Sequence, residues 1–164
     1  MTLRAMVYGP AMTYGNKRVF TNPRTGKPIL AERKGPHGVN VRTWQDALRT
    51  SMLAAEVPAA FRGVHPAESP NHRGLLVGPV SLVLTIYRAR PKSHYKRDGT
   101  LSKHGRDTPY PTGKPDADKV ARCVADCGTG IWYADDAQVV RLAVNKVWAM
   151  TVGECTVVEV EPVA

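Results

Sequence analysis

The chain has 164 residues, enough to bury one sizeable core but not two. Its 23 Lys and Arg outweigh 14 Asp and Glu, and the resulting net charge of +9 favours a polyanionic partner. No stretch approaches the run of about 20 apolar residues that a membrane helix needs. The opening MTLRAMVYGP lacks the apolar core of a secretory signal, so a cytoplasmic location is expected. Cys123, Cys127 and Cys155 have no second Cys or His pair at zinc-finger spacing, and read as buried, reduced thiols.

In chain order, LRAMVYG before Gly9-Pro10 predicts a short strand and turn. KRVFTNPRTGKPIL predicts a hairpin closed around NPRTGK. Residues 43–57 predict a helix, with Trp44, Leu48, Met52 and Ala55 at helical spacing. Thr43 and Asp46 resemble a capping box at its entry, and Pro58 stops it. Residues 58–79 hold four prolines and read as a long loop. VSLVLTIYR (80–88) is the strongest strand, with Val80, Leu82, Leu84 and Ile86 along one face.

The next segment, ARPKSHYKRDGTLSKHGRDTPYPTG, has no periodicity and reads as an irregular basic loop. From DADKVARCVADCGTG a second helix is predicted, with Val120, Cys123, Val124 and Cys127 inward and Gly128 and Gly130 at its end. AQVVRLAVNKVWAM and ECTVVEVEPV then predict two strands. Their short connection near 151–153 suggests an antiparallel hairpin. The expected fold is α+β, a mixed sheet with two main helices, forming one domain over residues 1–164. Neither a GxGxxG nor a GxxxxGK[ST] loop is present, which argues against a doubly wound nucleotide fold.

Two acidic features stand out against this basic background. KPDADK carries Asp116 and Asp118 where the basic loop enters the second helix, and WYADDAQVV carries Asp135 and Asp136. If the chain is extended at Asp116, the two carboxylates of the first motif point the same way. Asp118 can equally serve as an N-cap, and Asp135 and Asp136 can equally sit in an exposed turn. A DxD pattern alone is shared with glycosyltransferases and many surface loops. Its setting narrows the choice, because residues 88–122 hold ten basic and four acidic residues, a net +6. Carboxylates crowded together in a cationic groove repel one another and favour a hard divalent ion whose remaining ligands include phosphate oxygens.

Taken together, Pro91-Lys92-Ser93, the basic loop, Pro115-Asp116-x-Asp118, and Asp135-Asp136-x-Gln138-Val139 resemble the RusA-type Holliday-junction resolvases. These are endodeoxyribonucleases of bacteria and their phages. The resemblance covers roughly residues 80–150. It implies a RusA-like domain and a homodimer that nicks opposing strands of a four-way DNA junction with Mg2+, or with Mn2+. It further implies metal-binding carboxylates at Asp116, Asp118 and Asp136, and a catalytic cation at Arg122, where the family usually has lysine. Lys119 replaces the asparagine that usually follows the second aspartate, and IWYADD carries an extra apolar residue.

In that role Lys92, Lys96, Arg97, Lys114 and Lys119 are expected to hold the DNA backbone without reading sequence. Recombination and repair in the bacterial cytoplasm, at the nucleoid, would be the setting, with no membrane partner. A non-catalytic branched-DNA-binding protein is the alternative. His94 and His104 are expected at the surface, and Tyr87 in the core.

Overall fold

The computed structural model describes residues 2–13, 17–21, 24–32, 41–55, 75–150 and 153–163. Strand β1 (Leu3–Tyr8) buries Leu3, Ala5 and Val7, as strict alternation requires. Strands β2 (Lys17–Thr21) and β3 (Pro28–Glu32) form the expected antiparallel hairpin, with Thr21 opposite Pro28. Helix α1 (Val41–Ala54) buries Trp44, Leu48 and Met52 along one side. It begins two residues before Thr43, so the Thr43–Asp46 pair lies inside the helix and is not its entry. Pro58, and the proline-rich loop as far as residue 74, lie outside the described residues.

Strand β4 (Val80–Ala89) fully buries Val80, Leu82, Leu84 and Ile86. The basic segment after it is more ordered than its composition suggests. A 3-10 turn spans Lys92–His94, a tight turn follows, and a five-residue helix α2 spans Lys103–Asp107. Ser102 starts α2, its Oγ accepting from the Gly105 amide at 3.1 Å. A Cβ on Gly105 would meet the His94 carbonyl oxygen at 2.2 Å, so α2 packs on the 3-10 turn only because that residue is glycine. Helix α3 (Ala117–Gly128) turns Val120, Cys123, Val124 and Cys127 inward as predicted. Strands β5 (Val139–Ala149) and β6 (Cys155–Pro162) complete the chain. Cys123, Cys127 and Cys155 are buried free thiols, as expected.

The four long strands form one mixed sheet in the order β1-β6-β4-β5, and the fold is α+β. β5 runs parallel to β4, and β6 lies antiparallel between β4 and β1. The predicted β5–β6 hairpin is therefore not formed. The two strands do run in opposite directions, but β4 separates them. The physical reason is burial: Cys155, Thr156, Val157 and Val158 are all buried and need neighbours on both edges, whereas Val140 to Ala143 are exposed and suit the sheet edge. α1 packs on β1 and α3, and α3 packs on β5, so both helices cover one face. Among the described residues no helix is long and apolar enough to cross a membrane.

Candidate active site

Cross-strand register places Val7, Thr156, Ile86 and Lys146 in one row on the sheet face that the helices cover. The first three are buried, and the row ends in an ammonium at the edge strand. Lys146 Nζ donates to the Pro115 carbonyl at 3.1 Å and also to that of Gly113. Two residues further along β4, Arg88 donates to the Lys114 carbonyl and, through Nε, to Glu154 Oε1 at 2.9 Å. Two cations on adjacent parallel strands thus hold three successive residues, 113–115, by their backbone. Burial lowers the Lys146 pKa, the Arg88 charge lowers it further, and Asp116 opposes both.

The next residue is Asp116, at the N-cap position of α3. Its side chain makes no capping bond and instead accepts from Lys119 Nζ at 2.7 Å. That hydrogen bond and the Lys119 charge, with Lys114 and Lys146 adding, hold the Asp116 carboxyl below its ordinary pKa. Asp118 lies in the first helical turn and is exposed. It is neither the N-cap nor part of an extended stretch, because the helix has already begun at Ala117. The Lys119 pKa is raised first by Asp116 and to a smaller extent by Asp118, so both carboxylates lie near one ammonium. Arg122 follows Asp118 by one turn and is exposed.

The second acidic pair lies elsewhere. Asp135 caps a 3-10 turn (Asp136–Gln138), its Oδ1 accepting from the Ala137 amide at 2.8 Å. Gln138 completes the box by accepting from Ala134 and Asp135, and it donates to the Leu76 and Gly78 carbonyls. Asp135 is therefore occupied in holding the turn, while the Asp136 carboxylate is exposed and makes no such bond. Asp136 sits near the C-terminal end of α3, where burial first, and the Asp136 charge second, push the Tyr133 hydroxyl pKa up. The Tyr133 hydroxyl donates to the Ala125 carbonyl at 2.9 Å.

The acidic pairs thus flank opposite ends of α3 and of β5. Seven strand steps from Val139 to Lys146 cover roughly 23 Å. The twelve residues of α3 give about 18 Å by an independent ruler. Among the described residues no three His, Cys, Asp or Glu side chains form a group able to hold a metal ion. Within this chain, Asp116 and Asp118 stand at the start of α3 and Asp136 beyond its end. α3 runs back along the sheet, so the residues entering it and those leaving it are at opposite ends. Within one chain, two hard oxygen donors, Asp116 and Asp118, stand together, and a third carboxylate does not join them.

Lys92, Lys96, Arg97 and Lys114, on the segment that joins the C-terminal end of β4 to α3, and Lys119, in the first turn of α3, are all exposed. Lys96 and Arg97 lie in a turn closed by the Tyr95–Leu101 bridge, in which Asp98 accepts from Thr100. Sequence reasoning passed over Lys146 and Arg88 as positioning groups. The available signal was periodicity, since Lys146 shares its strand face with Val144 and Leu142 and breaks an apolar row. His94 was expected at the surface and is buried, whereas His104 is exposed as expected. Tyr87, expected in the core, is half-buried.

YqaN of Bacillus subtilis (strain 168), described as an uncharacterized protein, is 36% identical over 75 residues, 46% of this chain and 53% of that protein. The chain spans about half the length of this curated relative. The family model for endodeoxyribonuclease RusA matches residues 40–161, which take in α1, the whole of β4 to β5, and nearly all of β6. With both acidic motifs inside the matched stretch, the chain belongs to the RusA endodeoxyribonuclease family.

Proposed function

We propose that the protein is a divalent-metal-dependent endonuclease that resolves four-way DNA junctions by paired nicks. The observation that carries this reading is the exposed Asp116–Asp118 pair at the entrance of α3, set in a basic segment and fixed by Lys146 and Arg88. Family membership supports nuclease chemistry on DNA. Asp116 and Asp118 would supply carboxylate oxygens to the metal, and Lys119 Nζ donates to one of them, Asp116 Oδ2. When bound, Mg2+ or Mn2+ supplies polarisation of a phosphoryl oxygen and a water of lowered pKa. Arg122 offsets charge on the cleaved phosphate. Lys92, Lys96, Arg97, Lys114 and Lys119 hold the DNA backbone. The setting is the bacterial cytoplasm, on nucleoid DNA.

The third carboxylate, Asp136, comes from a second copy of the chain. Among the described residues the outer edge of β5 pairs with no strand, and Val140 and Leu142 are 58% and 56% exposed beside it. An unpaired apolar edge is a template for strand addition. Antiparallel pairing of two β5 strands about a two-fold axis extends both sheets and brings the start of one β5 to the end of the other. Asp136 of each protomer then approaches Asp116 and Asp118 of its partner, which completes two sites related by symmetry. Paired incision of a junction needs two such sites.

Incubation with an end-labelled synthetic four-way junction, with and without Mg2+, tests the reading. Metal-dependent symmetric nicks are expected. A protein that shifts the junction in a gel and yields no product at any metal concentration is instead the non-catalytic binder.

A further inference from the structure

Beside residues 113–115 lies a cavity of about 450 Å³, within the range of about 300–1,000 Å³ typical of small-molecule sites. Three of its walls are flat rings. His94 meets His104 edge-on at 4.8 Å and Trp148 edge-on at 5.4 Å. Trp148 is itself fixed, donating through Nε1 to the Thr108 carbonyl at 2.9 Å with the Arg90 guanidinium 5.1 Å from its ring centre. His94 is 5% exposed, yet its Nδ1 has no hydrogen-bond partner in the protein. Buried polar atoms are almost always paired, so an orphan on a cavity wall points to a ligand.

The charges decide which kind of ligand. Arg88 is occupied by Glu154 and the Lys114 carbonyl, and Arg90 by the Gly105 carbonyl and the indole. Burial, then the charges of His104 and Arg90, lower the His94 pKa and so favour the neutral imidazole, which offers one donor and one acceptor. A phosphate would find no uncommitted guanidinium inside and, of the lining Lys and Arg, only the exposed Lys114 side chain. A planar heterocycle with donors and acceptors on its edge would find stacking walls and a matching nitrogen. Gly113 and Lys114 form part of the wall and precede Asp116 by three and two residues.

We propose that this cavity receives one unstacked nucleobase flanking the phosphodiester held at Asp116, which makes His94, His104 and Trp148 a base-binding subsite. The inference rests on the nuclease reading above and adds a specificity element to it. Unstacking costs least for a base that is already unpaired, and stacking one on an aromatic group is worth roughly 5- to 150-fold in affinity.

The test measures binding in EDTA to four-way junctions in which each nucleotide around the crossover is replaced, one at a time, by an abasic site. One position is expected to weaken wild-type binding by about tenfold. His104→Ala, an exposed change on α2 that leaves the buried core untouched, should bind the intact and that abasic junction about equally. His94→Gln, checked for folding by circular dichroism, should do the same. If no abasic position changes affinity by more than about twofold, or if His104→Ala keeps the full abasic penalty, the subsite is refuted. Mg2+-dependent nicking of the intact junction is scored in parallel. Nicking without an abasic effect rejects the subsite alone, and an abasic effect without nicking rejects the nuclease reading alone.

Discussion

The two ends of helix α3 are built on different principles. At its C-terminal end Cys127 and Gly128 are buried, Trp132 and Tyr133 are 0% exposed, and Trp132 Nε1 reaches the Met52 carbonyl at 3.0 Å. A Cβ on Gly128 would meet the Tyr133 hydroxyl at 2.4 Å, so even one methyl group is excluded there. At its N-terminal end Asp116, Asp118, Lys119 and Arg122 are all exposed, and order comes from Lys146 and Arg88 holding carbonyls of the preceding loop. One end stabilises through packing, while the other positions charge and keeps it accessible. Changes to the packed side chains at one end should therefore move stability with little effect on chemistry, and changes to the exposed charged side chains at the other the reverse.

The sharpest way to break that division is Trp132→Ala. Loss of a fully buried indole and its hydrogen bond should cost about 3–5 kcal/mol, read by denaturant unfolding. Cleavage per folded molecule should stay near wild type. Asp116→Asn or Asp118→Asn should lower junction cleavage by at least about 100-fold with only a small change in melting temperature, and junction binding should persist. A large drop in melting temperature for either variant would mean that the acidic end is structural as well.

Smaller effects sharpen the comparison. Lys146→Met should slow single-turnover cleavage by roughly tenfold by releasing Gly113 and Pro115, with Lys146→Arg restoring part of the rate. The smallest effect expected is a pH shift. The lowered pKa of Asp116 is due first to Lys119, so stability linked to its ionisation is present above the ordinary carboxylate pKa and lost as pH falls through the lowered one. Lys119→Met should raise the Asp116 pKa back toward its ordinary value, measured by NMR titration of the carboxyl carbon. The acid limb of the cleavage profile should move to higher pH with it.

The packed end of α3 was legible in the sequence because apolar periodicity is a local signal. Val120, Cys123, Val124 and Cys127 declare the inward face without reference to any other segment. The strand order was not legible, because pairing depends on which strand can be buried on both sides. The short link between β5 and β6 pointed the wrong way. α2 was hidden for a similar reason, since five residues carry no period and its start rests on a single serine. At the charged end, Asp116 and Asp118 could be read from their spacing. Lys146 and Arg88 could not be assigned, because their partners are backbone carbonyls, which no side-chain motif marks. The placement of Asp136 followed from topology: a helix that returns along the sheet separates its two flanking loops by its own length.

The most direct test of a site shared between protomers mixes two inactive variants. Asp116→Asn and Asp136→Asn homodimers should each fail to nick a junction. After subunit exchange half of the dimers are mixed, and each mixed dimer has one intact site and one doubly altered site if Asp136 acts across the two-fold axis. About a quarter of wild-type nicking should then return. Continued inactivity in a mixture shown by differential tagging to contain mixed dimers would contradict the shared site.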